Sequence, residues 1–182
     1  MKRKREILLG TALVLITLVV LGWISGYYFS PQACVEDSLR GLYFSPAEKI
    51  DAVPIADRYY YLYATDHQYA LHGARKTAGI FYVTPGGSSH AEYPSKAYTS
   101  TFDIDWQWHS GDQIFLFHRN ILEIQRIEVF NENGEHEFTI DSWKQDFALT
   151  GRKCKDDGNL TKPKIYRAYD AQGNLVEERI YP

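Results

Sequence analysis

Hydrophobic and polar positions divide the chain into two unlike parts. From Ile7 to Ala33 no side chain is charged, and Ile7–Ile24 (ILLGTALVLITLVVLGWI) is almost wholly apolar. A run with no polar face predicts a helix surrounded by lipid rather than one packed on a protein core. At about 1.5 Å per residue it spans about 27 Å, close to the thickness of a bilayer's hydrocarbon. Trp23, Tyr27, Tyr28 and Phe29 follow, where an interfacial aromatic belt would lie. The run is longer than the roughly 7–15 apolar residues of a cleavable signal, and no small-x-small site follows it. We therefore expect an uncleaved signal anchor over residues 7–29. The basic flank 1–6 (MKRKRE) would stay in the cytoplasm and residues 30–182 would be extracytoplasmic.

Beyond the anchor the pattern first turns helical. Ser30-Pro31 and Ser45-Pro46 each read as a helix start, with Ser as cap and Pro in the first turn. Glu48 completes a capping box with Ser45, and Val35, Leu39 and Leu42 share one helical face. Residues 30–57 are thus expected to form a short helical neck. From Arg58 short aromatic and β-branched runs take over. Candidate strands are Tyr59–Ala64, Tyr69–Ala74, Gly79–Thr84, Ala97–His109, Gln113–His118, Leu122–Asn131, Glu137–Ser142, Lys164–Tyr169 and Asn174–Ile180. PGGSS, SGD, NENGE and AQGN punctuate them as turns. The expected fold is an N-terminal transmembrane helix followed by a mostly antiparallel β domain, all-β or α+β, over residues 58–182.

Charge narrows the function classes. The 182 residues carry 20 basic and 23 acidic side chains, and without the first thirty the balance is 16 to 22, a net of −6. That excludes the basic surface of a dedicated nucleic-acid binder. Two cysteines are too few for a disulfide scaffold. Cys34 and Cys154 could form one disulfide outside the cell, closing a long loop; two free thiols are the equal alternative.

Three clusters could carry chemistry. Thr101–His109 alternates strictly, with Phe102, Ile104, Trp106 and Trp108 on one face. Asp103, Asp105 and His109 lie on the other, a donor set suited to a metal ion. Neighbours on one strand face are about 6.5–7 Å apart, so a metal would need further ligands, and a solvated strand face explains the row more simply. The turn-rich stretch Thr84–Ser95 offers Ser88, Ser89 and His90 for binding, without the G-x-S-x-G context of a nucleophile. Tyr59, Tyr61 and Tyr63 share one strand face and could form an exposed aromatic platform, although core packing is the commoner use. His136-Glu137 starts an H-E-x-x-H pattern, but Ile140 occupies the second histidine position. No phosphate-binding, dinucleotide or C-x-x-C motif occurs, and no cofactor is expected.

Near the C-terminus, Tyr169-Asp170-Ala171-Gln172-Gly173 resembles one copy of the YD repeat of large bacterial surface and toxin-shell proteins. Asp starting a turn and Gly in the left-handed position imply a hairpin there. The whole layout resembles small single-pass membrane-anchored proteins of Gram-positive bacteria, and that resemblance carries no catalytic residues with it. The expected function is a non-enzymatic, membrane-tethered binding or accessory module of the bacterial envelope. Its partners would be the membrane and an envelope protein or cell-wall ligand, and no nucleic acid. The alternative is an envelope hydrolase or metal-dependent enzyme built on Asp103, Asp105 and His109. A third reading makes the helix itself the partner surface, through the Gly22–Gly26 spacing.

Overall fold

The computed structural model describes residues 2–44, 46–84, 88–92, 101–109, 111–153 and 164–181. The apolar run lies within one helix, α1 (Lys2–Ile24). Its Lys4–Gly22 stretch, with a mean hydropathy of 2.0, is long and apolar enough to cross a membrane and is nowhere buried against the rest of the chain. Thr11 and Thr17 donate their hydroxyls to the carbonyls of Ile7 and Leu13, at 3.0 and 2.9 Å. Both polar groups are thereby satisfied within the helix. Gly26, at φ 76°, turns the chain away just beyond α1, so Gly22 and Gly26 do not share a helix face.

A second helix, α2 (Pro31–Gly41), starts where Ser30 accepts a hydrogen bond from the Ala33 amide and Pro31 opens the first turn. The other expected start, Ser45-Pro46, leads not into a helix but into strand β1 (Glu48–Ile55). Pairing with β2 (Arg58–Ala64) overrides the local capping signal there. A bulge between Lys49 and Asp51 lets both Ile50 and Ile55 point inward although they stand an odd five positions apart.

Twelve strands form three antiparallel sheets among the described residues. The first holds β1, β2, β3 (Gln68–Thr77) and β4 (Phe81–Val83) in that order, with β5 (Ser88–Glu92) also on β3. The second is β10 (Phe147–Lys153), β7 (Asp112–Arg119) and β6 (Phe102–His109). The third is β12 (Leu175–Ile180), β11 (Ile165–Tyr169), β8 (Arg126–Phe130) and β9 (His136–Ile140).

The sheets stack in layers around the middle one. On β7, Ile114 and Leu116 meet Ile50, Leu62 and Leu71 of the first sheet. Phe115 and Phe117, one residue on each time, meet Ile127, Val129 and Tyr166 of the third. A strand buried on both faces reads as a continuous apolar run, and Ile114–Phe117 does. The outer face of the first sheet is covered by α2, whose Cys34, Val35 and Leu39 pack on Tyr61, Tyr63, Ala70 and Ala74. The β11–β12 hairpin closes as its sequence implies. Asp170 accepts from the amides of Gln172 and Asn174 at 2.9 and 2.8 Å, and Gly173 takes φ 83°.

Candidate functional site

The end of α2 positions an exposed aromatic side chain on a left-handed backbone. The helix closes in a Schellman motif: the Phe44 amide donates to the Leu39 carbonyl at 3.0 Å, and the Tyr43 amide to the Arg40 carbonyl at 3.1 Å. Phe44 and Leu39 then pack together in the core beneath, the apolar contact that accompanies this motif. The left-handed position belongs to Tyr43, at φ 59°, where glycine is usual. Left-handed backbone costs a side-chain-bearing residue about 1–2 kcal/mol. The Tyr43 side chain recovers nothing by burial, being 95% exposed.

Tyr43 stands at the rim of an open cleft of about 670 Å³. Buried Phe44, Ile50 and Ala64 form an apolar floor. Glu48, Asp66 and His67 supply polar, exposed walls, from the start of β1 and the β2–β3 turn. Thr65 holds that turn by accepting hydrogen bonds from the amides of His67 and Gln68, at 3.3 and 3.1 Å. Gln145, itself at φ 55°, closes the far side from the β9–β10 connection. A smaller hollow of about 220 Å³ shares Phe44, Pro46 and Ala47 and reaches Glu36 and Arg40 of α2. The floor offers apolar contact and the rim carries two carboxylates, an arrangement suited to recognition.

The expected sites fall elsewhere. Tyr59, Tyr61 and Tyr63 do share a face, but α2 covers it, and Tyr61 and Tyr63 are buried. They are core, not an open platform. The Tyr63 hydroxyl donates to Glu36 at 3.0 Å, tying the sheet to α2, and burial, followed by that carboxylate, pushes its pKa up. The stretch holding Ser88, Ser89 and His90 is not wholly a loop, because β5 pairs there with the first half of β3, Ser88 opposite His72 and His90 opposite Ala70. The side chains of these three residues lie outside the described residues.

Asp103 and Asp105 are half-buried on the face of β6 that turns toward the first sheet, not on an open surface. Asp103 accepts from Asn120 at 2.8 Å and Asp105 from Gln107 at 3.2 Å. Tyr69 of β3 feels both: burial first, then Asp105 and Asp103, push its hydroxyl up to about 12. The His109 side chain lies outside the described residues, so its place beside the two carboxylates does too. Among the described residues no three His, Cys, Asp or Glu side chains gather to hold a metal ion. Cys34 is buried, and burial, with Asp37 adding, pushes its thiol up to about 11, far from the range of a reactive nucleophile. Cys154, and with it the proposed pairing, lies outside the described residues.

Tyr43 has only a faint mark in the sequence. The repeated YFSP at 28–31 and 43–46 draws attention to the capping serines rather than to the aromatic before them. The readable signal is negative: no glycine stands in the turn that must end α2 after Leu42. Comparison with family models, with curated proteins and with solved structures finds no match to this chain.

Proposed function

We propose that the chain is a membrane-tethered, extracytoplasmic binding module of the bacterial envelope, and that the Tyr43 cleft is the surface with which it binds. One observation carries the reading: a large aromatic side chain is held fully exposed, in a strained backbone position, at the rim of an open cleft. The helix end needs only the backbone of this position, so a bulky ring kept there under strain and without burial points to use rather than to folding. An exposed tyrosine beside an apolar floor is also the usual anchor of a protein contact. The partner fitted by this chemistry is an envelope protein presenting an apolar side chain flanked by basic ones, which meet Glu48 and Asp66. Under this reading α1 spans the membrane with residues 1–6 inside, which holds the cleft at the outer face.

The test compares native protein with Tyr43→Gly, a change that relieves backbone strain while removing the ring. Both forms are crosslinked in intact cells and captured through a C-terminal tag, and partners are identified by mass spectrometry. The expected result is a stoichiometric envelope protein recovered with the native form and lost with the variant. Equal recovery with both forms removes the cleft from the interface. Recovery of the chain alone from both removes the protein-binding reading.

A further inference from the structure

We propose that the β3–β4 hairpin is a second membrane contact, its tip Ala78–Phe81 seated in the bilayer interface beside the end of α1. The inference rests on α1 crossing the bilayer. Its occupant is a lipid surface, because the hairpin is pinned to the chain within a few residues of that helix. Tyr28, four residues past Ile24, forms an antiparallel bridge with Tyr82. The Tyr28 amide donates to the Tyr82 carbonyl at 3.0 Å and the Tyr82 amide returns a bond at 2.7 Å. The Tyr27 amide meanwhile donates back to the Gly22 carbonyl at 2.9 Å, so the chain folds over the helix end without rising away from it.

Side chains continue the same surface. The Phe81 ring lies 5.8 Å from that of Tyr27 and 5.0 Å from that of Phe29. Ile24, Tyr27, Phe29 and Ile80 are all large, apolar and exposed. A patch of this kind at a helix end matches the depth at which aromatic and aliphatic side chains enter the headgroup region. Backbone strain presents the tip: pairing stops at Thr77 opposite Phe81, and the three-residue turn between them holds Ala78 at φ 46° and Gly79 at φ 77°. Ala78 gains no burial in return, and the turn's product is an outward Ile80. Arg75 and Lys76, both exposed, precede the tip. They set two cations beside lipid phosphates in a region whose overall balance is acidic.

The two contacts together would fix the tilt of the β-rich part, where a single helix leaves it free to swing. The test uses full-length protein in phosphatidylcholine–phosphatidylglycerol vesicles, with Cys154→Ser as background and Cys34 left buried. Single cysteines at Val14, Ile80 and Leu122 carry a nitroxide, and accessibility to oxygen and to a water-soluble nickel chelate is read by power saturation. The label at 14 reports the helix. The label at 122, on a surface far along the chain, is the aqueous reference. Support is an oxygen-to-nickel ratio severalfold higher at 80 than at 122, with 14 higher still. A deep label at 14 with 80 matching 122 overturns the hairpin contact and leaves the helix reading standing. An aqueous label at 14 overturns both. A label at 80 shielded from both reagents also overturns it, and assigns the tip to a second copy of the chain. Because Ile80 is exposed, each labelled form should melt with its parent, which separates misfolding from a change in depth.

Discussion

Tyr43 stands in the place where a helix ordinarily ends in glycine, and that sets opposite signs for stability and binding. Tyr43→Gly removes left-handed strain worth about 1–2 kcal/mol and adds the chain entropy of glycine, for a net gain of about 0.5–1 kcal/mol. Urea titration of the two forms measures it, and a loss of stability in the variant contradicts the strain. Asp112 shows the reverse case. It is buried, accepts from the Arg58 guanidinium at 2.9 Å and from the Tyr60 hydroxyl at 2.7 Å, and sits between the first and second sheets. Burial, then this carboxylate, push Tyr60 up. Asp112→Ala strands a largely covered guanidinium and is expected to cost about 3–5 kcal/mol. A cost under about 1 kcal/mol would show that Arg58 finds water instead. His118 gives the pH dependence. Burial holds its imidazole below the ordinary value, outweighing Asp146, Asp103 and Asn120, which favour the charged form. The unfolded chain therefore takes up the proton first. The contribution of His118 is complete above about pH 6.5 and is lost as pH falls below it. His118→Gln should flatten the fall in Tm between pH 7 and pH 5, and an unchanged slope would refute the assignment.

Elements differ in how plainly the sequence announces them, and the difference tracks burial. The apolar run of α1, the Ser30-Pro31 start of α2 and the strict alternation of β6 are all local signals, and each forms as its pattern says. The hairpin at Asp170–Gly173 is equally local. β10 has no such signal, because Phe147 and Leu149 face the first sheet while Ala148 faces the third, so apolar residues do not alternate with polar ones. β1 hides behind a capping box, and its bulge breaks the period that would reveal it. β5 pairs within a stretch rich in turn residues because β4 occupies only Arg75–Thr77 of that edge of β3, leaving the first half open. Gly151 of β10 tests how closely the first two sheets approach. A Cβ there would lie 2.5 Å from Ile55 Cδ1 and 3.1 Å from the Gln113 carbonyl. Gly151→Ala should cost about 1–3 kcal/mol by overpacking. Adding Ile55→Val, which deletes the clashing methyl, should restore much of that. A double variant no better than the single one would place the strain at Gln113 instead.

Over the whole molecule, what the sequence left illegible is what depends on long-range burial. Among the described residues, twelve strands instead of nine, and the stacking of three sheets under one helix, follow from contacts between residues far apart in the chain. The same burial explains the tyrosines: an alternating row on β2 has an exposed side only if nothing lies over it, and α2 does. The candidate site was missed for the opposite reason, since Tyr43 belongs to no periodic pattern at all. Because the Lys4–Gly22 stretch of α1 is nowhere buried against the rest of the chain, a chain beginning at Tyr27 should lose the helical ellipticity of α1, keep the β signal, and melt within a few degrees of the detergent-solubilised full length. A large drop would show that α1 stabilises the sheets.

The middle sheet has a consequence for synthesis. The first sheet is contiguous, complete once Glu92 has left the ribosome. Its inner face, with Tyr60, Leu62 and Leu71, stays bare until β7 arrives at Arg119. At about 5–20 residues per second that interval lasts roughly 1–5 s. A half-made sheet thus waits with its greasiest side uncovered, and it is in that interval that a nascent chain of this design most needs a chaperone.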